Sequence, residues 1–81
     1  MRETEIREVV FKVLRQIAPE TDPSSLAPEA NLREALDIDS FDFLRFVTGL
    51  HEALGVDIPE SDYSQITSLS GVLGYLAARR T

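Results

Sequence analysis

Stretches with a clear helical period alternate along this chain with stretches that have none. Ile6, Val9, Val10, Val13, Leu14 and Ile17 recur at three- and four-residue steps and form one apolar stripe. That spacing predicts an N-terminal helix started by Glu3 or Thr4 and ended near Ala18, ahead of Pro19. Phe11 lies off the stripe. A second period runs from Ser40 to Leu54. At about 100° per residue, Phe43, Phe46, Val47, Leu50 and Leu54 share one face, with Leu44 at its margin. Asp39 suits the N-cap, Asp42 stands where a capping box would place glutamate, and Ile38 and Phe43 are spaced for a hydrophobic staple. Gly55 suits the C-terminal stop. Leu69, Val72, Leu73, Leu76 and Ala77 predict a last helix capped by Ser68. Gly71 and Gly74 weaken it by roughly 1 kcal/mol each relative to alanine, and Arg79 and Arg80 suit its dipole.

The intervening segments lack a period. Residues 18–38 carry Pro19, Pro23 and Pro28 with the polar pairs Thr21-Asp22 and Ser24-Ser25, which predicts a long loop. Leu26, Leu32, Leu36 and Ile38 are apolar anchors that hold it down, and Asn31 to Leu36 has room for a short turn of helix. Val56 to Pro59 reads as an extended connector. Pro59 to Ile66 reads as a short helix with proline at N1, and Tyr63 and Ile66 point inward. The expected fold is all-α, one domain over residues 1–81. It is a small four-helix bundle of three main helices and one short one, with a long loop between the first two.

Composition narrows the function. At 81 residues the chain is too short to enclose a catalytic pocket as well as a core, and it has no cysteine for disulfides or thiolate metal sites. No apolar run approaches the roughly 20 residues of a membrane span. Met1 to Glu5 enters a charged helical pattern with no apolar signal region, so a cytoplasmic protein without membrane insertion is expected. The formal net charge is −6, and it is unevenly spread. Between residues 16 and 78 only Arg33 and Arg45 are basic, against eleven carboxylates from Glu20 to Asp62. Nucleic acid is therefore not an expected partner; the acidity points to a basic protein surface or to plain solubility.

Candidate chemistry gathers where the central helix begins. Phe41, one residue after Ser40, falls on the flank opposite the apolar face, with Arg45, Thr48 and Glu52. The segment Leu36-Asp37-Ile38-Asp39-Ser40-Phe41-Asp42-Phe43-Leu44 resembles the phosphopantetheine attachment motif of the acyl carrier protein family, in which Asp-Ser-Leu opens the second helix. Leu54-Gly55-Val56-Asp57-Ile58-Pro59, Ile66-Thr67-Ser68-Leu69 and Tyr75-Leu76 extend the resemblance over nearly the whole chain.

The resemblance implies that Ser40 takes a 4′-phosphopantetheine arm from coenzyme A through a separate phosphopantetheinyl transferase, whose divalent metal Asp39 helps to hold. It implies a monomer that carries thioester cargo, loaded by an acyl or aminoacyl ligase and passed to a downstream transferase or synthase. Phe41, Asp42, Arg45, Thr48 and Glu52 are the expected docking residues. Phe43, Phe46, Leu50, Ile58, Ile66 and Tyr75 are the expected lining of a cargo cleft, beside their ordinary role as core. Because Phe41, Phe43 and Phe46 fill space, a small or absent cleft for long chains is expected. No residue is expected to be catalytic, and no nucleophile–base pair is formed around Ser40. His51, about three turns along, reads as a solvated surface residue.

Three positions depart from the family pattern: Phe41 for leucine, Asp37 for glycine, and Arg45 where an acid is usual. A positive charge at that place opposes partners built around lysine and arginine, which implies a specialised carrier, in lipid or secondary metabolite biosynthesis, outside primary fatty-acid synthesis. A stand-alone aminoacyl carrier with a dedicated ligase is one alternative. An unmodified acidic helical interaction module, docking through Phe41, is another.

Overall fold

The N-terminal stripe winds into α1 (Glu3–Ile17), about four turns. The computed structural model describes residues 2–79. After α1 come a 3-10 turn (Pro23–Ser25), α2 (Leu32–Leu36), α3 (Ser40–Leu54), a 3-10 segment (Glu60–Ile66) and α4 (Leu69–Arg79). Arg80, expected at the end of the last helix, lies outside the described residues. The fold is a small helical bundle: α1 packs on both α3 and α4, and the 3-10 segment lies along α4.

The periods decide which faces are buried. Ile6, Val10, Val13 and Leu14 of α1 meet Phe43, Phe46, Val47, Leu50 and Leu54 of α3 and Leu69, Val72, Tyr75 and Leu76 of α4 in one core. Val9 and Ile17, at the edge of the α1 stripe, are half-buried. Phe11 is also half-buried although it is off the stripe, because the loop supplies a second surface there. Arg7 lies over its ring at 5.8 Å, and Pro23 and Leu26 share its hollow.

Two close approaches fix how the helices sit. A Cβ on Gly49 would stand 2.7 Å from Cγ1 of Val13, so α1 and α3 cross nearer than any side chain at that position allows. A Cβ on Gly71 would meet the backbone oxygen of Gln65 at 2.5 Å. The glycine that propensity penalises is therefore what lets α4 start against the end of the 3-10 segment. Ser68 caps α4 as expected, its hydroxyl accepting from the Gly71 N–H at 3.1 Å.

The long loop is tied down. Leu32 and Leu36 are buried, and Leu26 and Ile38 are half-buried. The Leu32 N–H donates to the Thr67 carbonyl at 2.8 Å and the Ser70 N–H to the Pro28 carbonyl at 3.0 Å. The Ser70 hydroxyl donates to Glu29 Oε1 at 3.0 Å. Asp22 caps the 3-10 turn, and the Ser24 hydroxyl and N–H donated to its carboxylate hold it below the usual aspartate range.

Residues 60–66 form the expected short helix, with a tighter winding and a start one residue later. They wind as 3-10, with the Asp62 N–H donating to the Pro59 carbonyl at 2.9 Å, and Pro59 is the residue before the first turn and not N1. Asp62 is drawn towards α4: the Tyr75 hydroxyl donates to its Oδ2 at 2.6 Å and Arg79 Nη2 at 3.3 Å. The Arg79 guanidinium stacks on the Tyr75 ring at 3.9 Å.

Candidate functional site

Two successive capping devices deliver Ser40 to the surface. The Asn31 side chain accepts from the Glu34 N–H at 3.1 Å and starts α2. The helix then ends in a Schellman turn, with the Asp37 N–H on the Glu34 carbonyl at 3.3 Å and the Ile38 N–H on the Arg33 carbonyl at 3.0 Å. Asp37 takes the left-handed position at φ 54°. This accounts for the glycine expected there: a side chain in that conformation costs on the order of 1 kcal/mol, and aspartate tolerates it better than most. Ile38 drops back onto the core, and Asp39 follows with an extended backbone, its Oδ1 accepting from the Asp42 N–H at 2.9 Å. Ser40 is thus the first residue of α3, on a turn stiffened from both sides.

The Ser40 side chain is exposed, and no protein group among the described residues hydrogen-bonds its hydroxyl. Asp42 does not close the expected capping box. Aspartate is one methylene shorter than glutamate, and its Oδ1 instead meets Arg45 Nη1 at 3.4 Å. His51 is exposed but not merely solvated. Its Nδ1 lies 3.1 Å from the Val56 carbonyl, where it ties the end of α3 to the connector. It has no part in the Ser40 neighbourhood.

Two hollows border the first turns of α3, and Leu44 lines both. On one side a cavity of about 380 Å³ lies between α2, the start of α3 and the 3-10 segment, with Ser40 on its wall. Phe43, Leu44 and Tyr63 form its apolar part, the Phe43 and Tyr63 rings meeting edge to face at 5.9 Å. Asn31, Arg33, Glu60, Ser64 and Thr67 form its polar part. On the other side a groove of about 430 Å³ runs between α1 and α3. Phe41, Leu44, Arg45, Thr48 and Glu52 border it. Phe41 is 70% exposed and Leu44 47%, the large apolar side chains left uncovered among the described residues.

The structure thus brings together four of the five expected docking residues on the groove, with Asp42 beside them through Arg45. Of the six residues expected to line a cargo cleft, Phe43 alone borders the cavity. Phe46, Leu50, Ile58, Ile66 and Tyr75 are closed into the core. Of the wall residues only Ser40 and Phe43 were expected site residues; Asn31, Arg33, Leu44, Glu60, Tyr63, Ser64 and Thr67 were not. The signal for Arg33 was its being one of two cations in an acidic stretch. No group of three or more His, Asp or Glu side chains could hold a metal among the described residues, and no helix among them is long and apolar enough to cross a membrane. An exposed hydroxyl with no protein partner, on a fixed turn beside a hollow of mixed polarity, suits covalent attachment of a flexible polar arm.

Comparison with known proteins bears on this arrangement. Residues 5–76 match the family described as "Phosphopantetheine attachment site". An acyl carrier protein of Rubrobacter xylanophilus is 31% identical over 78 residues, covering 93% of this chain and 96% of that one. An acyl carrier protein of Thermosynechococcus vestitus is 32% identical, covering 85% of this chain and 88% of its own. One from Syntrophobacter fumaroxidans is 36% identical over 73% of each.

Proposed function

We propose a function from one premise: the chain belongs to the phosphopantetheine attachment-site family. Membership brings a covalently attached 4′-phosphopantetheine group and acyl carrier proteins as relatives. We assign the attachment to Ser40. The observation that carries the assignment is the exposed hydroxyl without a protein partner, held at N1 of α3 by the Asp37 turn and the Asp39 cap.

In the loading step the new bond joins Ser40 Oγ to the phosphorus at the root of the arm, and the phosphoanhydride of coenzyme A breaks. Adenosine 3′,5′-bisphosphate leaves, and the serine proton passes to the transferase or to water. Asp39 has its Oδ1 committed to the cap, so we assign its other oxygen to the divalent metal of the transferase. When bound, the arm supplies a thiol that holds cargo as a thioester. This chain then acts as a carrier and not a catalyst: no carboxylate or imidazole among the described residues is hydrogen-bonded to the Ser40 hydroxyl, and the His51 ring is engaged with Val56.

We further assign it to a specialised pathway. The flank of α3 that would meet partners offers an exposed Phe41, a neutral Asp42–Arg45 pair, Thr48 and one acid, Glu52. Such a surface favours aromatic contact over attraction to a strongly basic patch. Intact mass after incubation with coenzyme A, magnesium and a promiscuous transferase tests the attachment. One added phosphopantetheine unit, absent in Ser40→Ala, is the expected result. A folded protein that gains nothing beside an active control would refute it and leave an unmodified interaction module. Arg45→Glu tests the pathway: transfer from a housekeeping fatty-acid enzyme should improve, and no change would remove the repulsion argument.

A further inference from the structure

The outer side of α3 repeats its spacing in both directions. Phe41, Arg45, Thr48 and Glu52 stand at steps of four, three and four residues, which read the same from either end and match a coiled-coil seam. All four are exposed, as are Leu44 and Ala53 beside them. Ile17 of α1 borders the groove at its Phe41 end, and Val9 and Lys12 border a second hollow at the Ala53 end. The two hollows share Val13, Gln16, Gly49 and Glu52, so they form one furrow from Phe41 to Ala53, about 18 Å of helix. The furrow has an aromatic knob at one end. At the other it has a floor of small or β-branched residues, Val9, Val13, Gly49 and Ala53.

The charges along this face cancel. Lys12 and Arg45 stand against Asp42 and Glu52, whereas the whole chain carries −6. Lys12 and Glu52 line the same hollow and form no ion pair among the described residues. Arg45 reaches Asp42 at 3.4 Å, between side chains 58% and 31% exposed, a contact too loose to withhold it from a better placed carboxylate.

We propose that this face pairs with the same face of a second copy of the chain, α3 antiparallel to α3 about a two-fold axis. Such an interface needs a patch complementary to itself, and the palindromic stripe supplies one. With the axis midway along the stripe, between Arg45 and Thr48, the Phe41 ring of each copy comes level with Glu52 and Ala53 of the other, over the hollow. Arg45 then lies about one turn, roughly 6 Å, along the axis from the other copy's Glu52. Helical side chains lean towards their own N-terminus, so in an antiparallel pair these two lean towards each other. Two Arg–Glu pairs result, one on each side of the axis. Because the furrow is neutral, the repulsion between two acidic chains falls elsewhere on their surfaces. The area buried is at or below about 1,200 Å² in total, so the dimer is weak and exchanges with the monomer that the family resemblance implies. It covers Phe41, so an enzyme that docks there displaces the second copy. The pairing does not depend on attachment at Ser40, which lies outside the furrow.

Sedimentation velocity of the full chain from about 0.01 to 1 mM, the range in which a weak interface of this size dissociates, tests the pairing. The weight-average mass should rise towards twice that of one chain. Arg45→Glu alone and Glu52→Arg alone each set like charges together at both pairs, and each should weaken association by at least about tenfold. An equimolar mixture of the two variants should recover it, because position 45 of each then faces the opposite charge at position 52 of the other. Phe41→Ser should abolish it. Circular dichroism should show all three variants folded, since the three side chains are exposed. In ¹H–¹⁵N NMR, dilution of the parent should shift the amides of residues 9–17 and 41–53 and leave those of 60–79 in place. Ser40→Ala should associate as the parent does, so a failed attachment would leave the pairing untouched. A parent that stays monomeric throughout, single variants that associate like the parent, or a mixture that fails to recover would each overturn it. Dilution shifts confined to another face would overturn it as well.

Discussion

The two ends of α3 are held by opposite means. At the Ser40 end almost every restraint is a short polar contact: Asn31 on Glu34, the Schellman bonds at Asp37 and Ile38, and Asp39 on Asp42. At the Leu54 end Gly55 turns the chain at φ 68°, and Leu54, Val56 and Ile58 then go directly into the core. With Ser40 assigned as the attachment residue, the contrast follows from what each end has to expose. A side chain that an outside enzyme must reach cannot be fixed by burial, so its position is set by backbone donors and acceptors satisfied locally. An end with nothing to present can be fastened by apolar area.

Substitutions at either end should separate the two strategies. The largest effect is expected at the buried end. Ile58→Ala should lower unfolding free energy by about 2–5 kcal/mol, through lost burial and the cavity left behind. Denaturant titration should record that loss for the whole chain, and a change under about 0.5 kcal/mol would mean that burial does not hold this end. Asp39→Ala should cost about 1 kcal/mol and fray only the first turn. Hydrogen exchange should rise at Asp42 and Phe43, whose N–H groups bond Asp39, while the amides of Leu50 and Leu54 stay protected, and phosphopantetheine loading should slow at unchanged fold.

Tyr75 extends the buried end into the 3-10 segment. Burial first, and the bond to Asp62 second, raise its pKa above the usual tyrosine value. The folded state therefore holds the phenolic proton more tightly than the unfolded one. Its contribution is complete below about pH 10 and is lost as pH rises through the higher folded value. Tyr75→Phe should cost about 1 kcal/mol near neutrality and should flatten the alkaline decline in melting temperature. An unchanged alkaline slope would show that the Tyr75–Asp62 contact carries none of it. The smallest effect is expected at Asp37. Gly there relieves the left-handed conformation but loses more freedom on folding, so Asp37→Gly should stabilise by no more than about 1 kcal/mol. A net loss would mean that the turn depends on the aspartate side chain.

Legibility in the sequence follows the same division. The extent of α3, its buried face, its outward Phe41 and its Gly55 stop could be read because period and caps act within a few residues. The turn before Ser40 was partly legible. Asn31 to Leu36 reads as a short helix, but nothing in an aspartate demands the left-handed backbone that Asp37 takes. The Asp62–Tyr75–Arg79 cluster was not legible, because its members are 13 and 17 residues apart and meet only after α4 has docked. The 3-10 winding of residues 60–66 belongs to the same contact. Phe11 illustrates the limit from the other side, since a residue outside a helix's stripe can still be covered when a loop crosses it. The polar cavity wall was missed for a similar reason: Arg33 and Glu60 come together through tertiary structure alone.

Gly49 carries one more consequence. Val13 is β-branched and buried, so it cannot swing aside, and the crossing of α1 and α3 acts as a pivot with little play. Ser40 lies nine residues from that pivot, about 14 Å along a rigid rod. Any bulk added at position 49 would tilt the rod about the crossing, and the displacement would appear chiefly at its tip. The height of the serine above the bundle is thus set in part by a missing methyl group two and a half turns away, in a residue that no visiting enzyme needs to touch.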